Sequence, residues 1–378
     1  MQTQQISYRN AICLIMVMIL SNTILIGLPS DVGQEAWVTL LLSLLLTIPM
    51  ALIYARILSL YPGKDLFEIM ETLLGKKLGK VFLALYIWYF FQIGCISLQG
   101  HSQFIHVVGL PKTPLMVIIA ALMMAVLYIV KSGMGTLGKW AGIVTCIILI
   151  TMVFSFLFSL GIMDVQYFLP VFSHTPQEYL YGSVKTTIVP FLAILIPCGL
   201  AHSFRKGDRI YSPYKILLFA ILFSVITQLF IFSRILGVLG PESMGDLYYP
   251  TFKAAGIIRI GSFSERVESI VSFAYILAGI TKAAVCLTSA NRGLARLFRV
   301  KDERTIAFPF AMLAFAISVI LFPSQLSYAG FIDYYRFYAV PFLFLFPLLF
   351  WIMAEKKRIK GKSGLSPPSS DPSPHPVL

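Results

Sequence analysis

Charge is the scarcest property of this chain. Only 12% of its 378 residues are Asp, Glu, Lys or Arg, about half the share of an ordinary soluble domain, which excludes a water-soluble globular protein. Acidic residues are the scarcer kind, 17 against 30 Lys and Arg, and none sits deep inside a predicted span. Cysteines are few and dispersed. Cys13, Cys95, Cys146, Cys198 and Cys286 all fall in apolar runs, with no C-x-x-C spacing and no histidine cluster, so neither a disulfide framework nor a metal site is expected. No nucleotide-binding glycine motif, zinc motif or nucleophile elbow occurs, so enzyme chemistry has no support and no cofactor is implied. The first apolar run is followed by no A-x-A-like cleavage site and reads as a retained helix. The net charge of +13 is gathered in particular loops, so nucleic acid is not a needed partner.

What the chain does have is ten apolar runs. A hydrocarbon core of roughly 30 Å needs about 20 apolar residues in helical form, and within lipid a helix satisfies its own backbone. The runs are 10–28, 36–58, 82–108, 114–131 and 138–162, then 184–203, 214–238, 266–289, 306–323 and 334–353. The partner of most of the surface is therefore a lipid bilayer. Lys and Arg crowd the connections on one side, from Arg9, Arg56 and Lys76 to Arg292, Arg299 and Lys356. The positive-inside rule then makes both termini cytoplasmic, which requires an even number of spans. The predicted layout is a cytoplasmic N-terminus (1–9), spans 1–5 (10–162), an external connection (163–183), spans 6–10 (184–355) and a basic, then disordered, cytoplasmic tail (356–378).

Five spans per half place the halves in opposite orientations. Inverted repeats of this kind bind their ligand near the bilayer midplane, where corresponding helices are interrupted. Span 1 carries Ser21-Asn22-Thr23, with Gly27 and Pro29 following; span 6 carries Pro190, Pro197 and Gly199 around Phe191 to Ile196. Proline removes a helical donor and clashes with the preceding turn, so interruptions are expected at Asn22, Thr23 and Ile24 and around Ile194. The alternative is a kink healed by neighbouring side chains.

Lys282 is the charge inside the membrane. It lies about 24 Å along span 8 from Arg266, near the midplane, where a cation costs about 3 kcal/mol or more. Its expected partners are carbonyls exposed at a broken helix. It then either stands where related transporters hold a coupling cation or handles a proton, or it snorkels to the interface. Tyr89 and Gln92, three apart on span 3, share a face; they line a cavity or bond helix to helix. His101 and His106 read as interfacial, and Arg234 and Lys185 as reaching the headgroups.

A set of ordered landmarks runs through residues 7–358. Gly27-Leu28-Pro29 closes span 1, Trp37-Val38-Thr39-Leu40 opens span 2 and Lys112-Thr113-Pro114 precedes span 4. Phe168-Leu169-Pro170-Val171, Tyr249-Pro250-Thr251 and Glu265-Arg266-Val267-Glu268-Ser269 follow. In these the chain resembles the permease-like B subunit of spore germinant receptors, within the amino acid–polyamine–organocation transporter superfamily. The resemblance implies an all-α, polytopic, LeuT-like fold with ten transmembrane helices, helices 1 and 6 interrupted, in the inner membrane of a spore. It implies an A-type membrane subunit and a C-type lipoprotein as companions, and a small nutrient, an amino acid or similar, as ligand. Carried onto this sequence, the ligand would meet Asn22, Thr23, Ile24, Tyr89 and Thr281. The family's Gly-x-Gly at the span 1 break is replaced by Asn22 and Ile24. Sensing through companion subunits is the first function implied. A proton-coupled or facilitative amino acid transporter is the alternative, and a structural subunit with a lapsed pocket the third.

Overall fold

Helices start where the sequence supplies caps. Asp65 with Glu68, Thr175 with Glu178, and Ser324 with Ser327 each form a reciprocal capping box that satisfies first-turn N–H groups. The computed structural model describes residues 5–26, 32–204, 212–258, 267–322 and 324–363, and at 24–26, 246, 325, 329, 332, 333, 336 and 360–363 the backbone alone. The first half holds α1 (Tyr8–Ile26), α2 (Ala36–Leu60), α3 (Leu66–Val108), α4 (Leu115–Ser132) and α5 (Met134–Ser159). The second holds α6 (Pro176–Ile188) and α7 (Leu195–Cys198), then α8 (Pro213–Asp246), α9 (Pro250–Gly256), α10 (Val267–Leu297) and α11 (Glu303–Leu321). It closes with α12 (Gln325–Val340) and α13 (Phe346–Ser363), joined by a π turn at Pro341–Leu345.

Among the described residues nine helices are long and apolar enough to cross a bilayer, and α1 occupies the position of the first predicted span. No strand is present among them beyond an isolated bridge between Ile6 and Phe204. Large apolar side chains point outward from the periphery, among them Leu45, Met124, Ile150, Phe223 and Ile320. Such a belt is the expected surface of a protein solvated by lipid. The interior belongs to α10, which packs against α3, α5, α1 and α4.

Each half bends between its second and third spans. A short helix precedes the third span, and the chain turns at Gly75 (φ +77°) into the long part of α3. In the second half the corresponding bend follows the seventh span, at Gly240 (φ +76°) in α8, and leads to α9. Both positions lie in the left-handed region that favours glycine. The third span therefore begins well before residue 82, and the sixth begins at Pro176 rather than at 184.

Proline shapes the last span too. The i→i−4 ladder opens into a π turn over Pro341–Leu345, and Pro347, which has no N–H, leaves the carbonyls of Phe342 and Leu343 (five and four residues before it) to tyrosines from neighbouring helices. The Tyr86 hydroxyl donates to the Phe342 carbonyl at 2.7 Å, and Tyr54 donates to that of Leu343.

Candidate functional site

The sixth span breaks as its prolines require. Helix α6 stops at Ile188; Phe191–Ile194 form a 3-10 turn, followed by α7 and a second 3-10 turn at Ala201–Ser203. Side chains from other helices bond to carbonyls along the break. The Val189 carbonyl accepts from Asn22 Nδ2 at 2.9 Å, and that of Ile196, which also accepts the Gly199 N–H at 3.0 Å, accepts from Ser289 Oγ at 3.2 Å.

Asn22 does more than heal the break. Its Oδ1 accepts a hydrogen bond from Lys282 Nζ, so one amide joins α1, the interrupted helix and α10. The partner of Lys282 is thus a side-chain amide, not a backbone carbonyl as expected. Lys282 is only 6% exposed, which sets aside snorkelling to the interface.

The first helix departs from expectation. It is helical through Asn22, Thr23 and Ile24 and ends at Ile26, so the interruption read at those three residues is not found there. The Gly27-Leu28-Pro29 segment lies outside the described residues, as does the Ile24 side chain. The physical reason is that Asn22 and Thr23 bond outward without disturbing their own backbone. Thr23 Oγ1 donates to Gln228 Oε1 of α8 at 2.9 Å.

Beside the Lys282–Asn22 pair is a cavity of about 30 Å³. Its walls are Ile93, Ile96, Ser97 and His101 of α3, Val189, Ala193 and Ile196 of the broken helix, and Tyr328 and Tyr335 of α12. That volume suits a water molecule, whereas sites for drug-sized ligands run to roughly 300–1,000 Å³. The chain is in a closed form in which Lys282, Asn22 and two tyrosines occupy the centre.

Of the site residues predicted from the sequence, Asn22 and Lys282 line this cavity. Tyr89 stands one layer behind, its hydroxyl 2.7 Å from that of Tyr335 and its ring stacked on Phe342 at 4.5 Å. Thr281 faces elsewhere, accepting from Trp140 Nε1 at 2.9 Å and donating to the Leu277 carbonyl. Gln92 and Ile194 do not line it, and Thr23 turns to α8. The sequence reading missed Ser97, His101, Tyr328 and Tyr335. His101 is buried, not interfacial, and its Nδ1 lies 2.7 Å from the Ser97 carbonyl. Its ring rests where a side chain at position 279 would be, so Gly279 is the signal that admits it. Gly100 makes room for the Tyr328 hydroxyl in the same way.

Among the described residues, contacts close over the cavity on both faces. On the face that carries Ile6 and Ser203, Arg292 bonds Asp65 at 2.7 Å and reaches Glu303 at 3.5 Å. One turn on, Arg296 bonds Glu68 at 3.0 Å and Glu71 at 2.7 Å, tying α10 to the start of α3. His202, beyond the end of the sixth span at Cys198, packs 3.8 Å from Asp65. Burial, with Arg292 close by, pushes its pKa down to about 3 and keeps it neutral. Below this network opens a vestibule of about 960 Å³ lined by Arg292, Arg296, Arg299, Lys76 and Lys80, among others. On the opposite face the Phe104 ring is packed by Tyr249 at 5.0 Å and Tyr275 at 5.1 Å. Arg234, expected at the headgroups, is buried here and donates to the Thr251 carbonyl of α9 at 3.0 Å.

The comparisons with known proteins agree with this architecture. Solved structures with the same fold include MhsT in complex with L-phenylalanine, at 15% identity and a TM-score of 0.66, covering 91% of this chain and 87% of that one. A manganese transporter of Eremococcus coleocola, with an aromatic bis-isothiourea compound, superposes with a TM-score of 0.62 at 12% identity, over 96% of this chain and 88% of its own. Both are LeuT-fold proteins, and this chain shares that fold. Among curated relatives, spore germination protein KB of Bacillus subtilis (strain 168) is 24% identical over 96% of this chain and 98% of its own length. Spore germination protein A2 of the same organism is 23% identical over 87% and 88%. The family model described as spore germination protein matches residues 5–326. With that match extending over most of its length, the chain belongs to the spore germination protein family, as a multi-pass, permease-like membrane protein.

Proposed function

We propose that this protein is the ligand-sensing, permease-like subunit of a germinant receptor in the spore inner membrane, with both termini in the cytoplasm. A small nutrient, an amino acid or similar, enters the midplane cavity and separates Lys282 from Asn22. Because Asn22 also holds the break in the sixth span, its release changes the contact between α1, α6 and α10. An A-type membrane subunit and a C-type lipoprotein carry the change onward. Ligand drives this shift only by binding the open form better than the closed one.

The observation that carries the reading is the single amide joining three elements at a cavity closed over on both faces among the described residues. Family membership supports the spore setting, and the basic vestibule supports a cytoplasmic position for that face. The alternative, an amino acid transporter, is favoured by the same paired closures, which alternating access also needs. A divalent metal is poorly suited as cargo, since the Lys282 ammonium lines the cavity.

Two measurements test this. Spores of the host lacking this chain, screened against single nutrients, are expected to lose germination on one nutrient and regain it on complementation. The purified full-length chain in liposomes is expected to bind that nutrient without accumulating it. Steady uptake of labelled nutrient overturns sensing in favour of transport.

A further inference from the structure

Lys282 is held by a neutral group. An ammonium carries three donors, and among the described residues one acceptor is found for it, the Asn22 side-chain oxygen. No carboxylate among the described side chains lines the cavity; the other polar groups there are Ser97, His101, Tyr328 and Tyr335. Ser97 Oγ is buried and has no hydrogen-bond partner among the described residues. Hydroxyls and an ammonium converge on one small space, with a positive charge that nothing in that space balances. Keeping a cation near mid-bilayer beside only an amide is costly, and the cost is relieved when a counter-charge arrives.

Of the carbonyls bordering the cavity at the helix break, that of Val189 is taken by Asn22 and that of Ile196 by Ser289 and the Gly199 N–H. The ammonium, with three donors and one acceptor, is the group there that most needs a ligand's oxygen.

We propose that the nutrient is a small carboxylate, and that its carboxylate displaces the Asn22 amide from Lys282, which becomes its counter-ion. This rests on the sensing reading given above and specifies the chemistry of its ligand. Oxygen for oxygen, the exchange replaces a neutral acceptor by a charged one, with Ser97 Oγ available as a second donor. The ammonium–amide bond is already charge-assisted; what the carboxylate adds is a full opposite charge at a site of low dielectric, so the exchange favours the ligand. It also frees Asn22, which couples occupancy of the cavity to the break in the sixth span. A ligand of the same shape with a carboxamide in place of the carboxylate would bring no charge and leave the ammonium no better satisfied than before.

The test uses full-length protein purified in lipid nanodiscs and the twenty L-amino acids with their C-terminal carboxamides as probes, followed by isothermal titration and thermal shift. At least one acid is expected to bind, with its carboxamide about 100-fold weaker, the loss that removing one partner of a buried charge pair produces. Lys282→Met is expected to abolish binding of that acid and Lys282→Arg to retain it. Should Lys282→Met fail to fold, the acid–carboxamide comparison on the unaltered protein still decides. Equal affinity for an acid and its carboxamide overturns the carboxylate proposal and leaves sensing in place. Undiminished binding by a folded Lys282→Met variant overturns it in the same way. Failure of every probe to bind, in a strain whose germination on an amino acid depends on this chain, overturns both.

Discussion

At the scale of single residues, the cavity is built by what is small as much as by what is polar. Gly279 lies on α10 three residues before Lys282, and the ring of His101 fills the space its missing side chain leaves. A methyl group there drives His101 off its seat, because the clash is with a ring rather than the end of a flexible chain. Gly279→Ala is therefore expected to cost about 1–3 kcal/mol of stability, the usual penalty of overpacking, and to weaken ligand binding. Gly161→Ala, where nothing lies within 4 Å, should match the parent protein in both thermal shift and titration. A variant as stable and as ligand-responsive as Gly161→Ala would show that His101 does not shape the site. Asn22 and Lys282 were legible in the sequence because an amide and a charge deep in an apolar run are costly in lipid unless partnered. Ser97, His101 and the two tyrosines were not. Serine, histidine and tyrosine are tolerated along many membrane helices, and only the approach of α10 and α12 turns these particular ones inward.

At the scale of helices, the prolines told much and not everything. Pro190 and Pro197 disclosed the interruption of the sixth span, since each lacks the N–H that a continuous helix needs. Asn22 and Thr23 suggested a matching interruption in the first, but a polar side chain bonding to another helix leaves its own backbone intact. The π turn at Pro341 was not anticipated, and neither were the tyrosines that serve it. The arrangement yields a prediction about the last span. The Tyr86 hydroxyl is the donor that satisfies the Phe342 carbonyl at 2.7 Å, and both groups are buried. Tyr86→Phe removes the donor and leaves the carbonyl without it, a change expected to destabilise the fold by about 1–3 kcal/mol. Thermal unfolding of the two proteins in the same detergent measures it. An unchanged midpoint would mean that the carbonyl is satisfied in another way and that the hydroxyl is not what fixes this bend.

At the scale of the whole molecule, the fold was readable because ten hydrophobic runs and the distribution of Lys and Arg leave few arrangements. The closures were not readable, because pairs such as Arg292 with Asp65 link residues more than two hundred positions apart, and charges near span ends look alike in sequence. Closure on the vestibule face also depends on pH in a definite direction. His202 sits beside Asp65 and Arg292, with Glu68 near, and burial has lowered its pKa to about 3 from an ordinary value of about 6.5. The folded form thus declines a proton that the unfolded chain accepts. Its contribution to stability is complete above about pH 6.5 and falls as the pH drops from there towards 3, because the unfolded state binds more protons throughout that interval. Purified protein should therefore melt at progressively lower temperature between pH 6.5 and 4.5. In His202→Gln, which keeps a polar side chain but cannot titrate, that decline should be shallower, while at pH 8 the two proteins differ only by the contacts exchanged. Equal slopes for both would place the acid sensitivity elsewhere and would show that the buried imidazole is not a weak point of this closure.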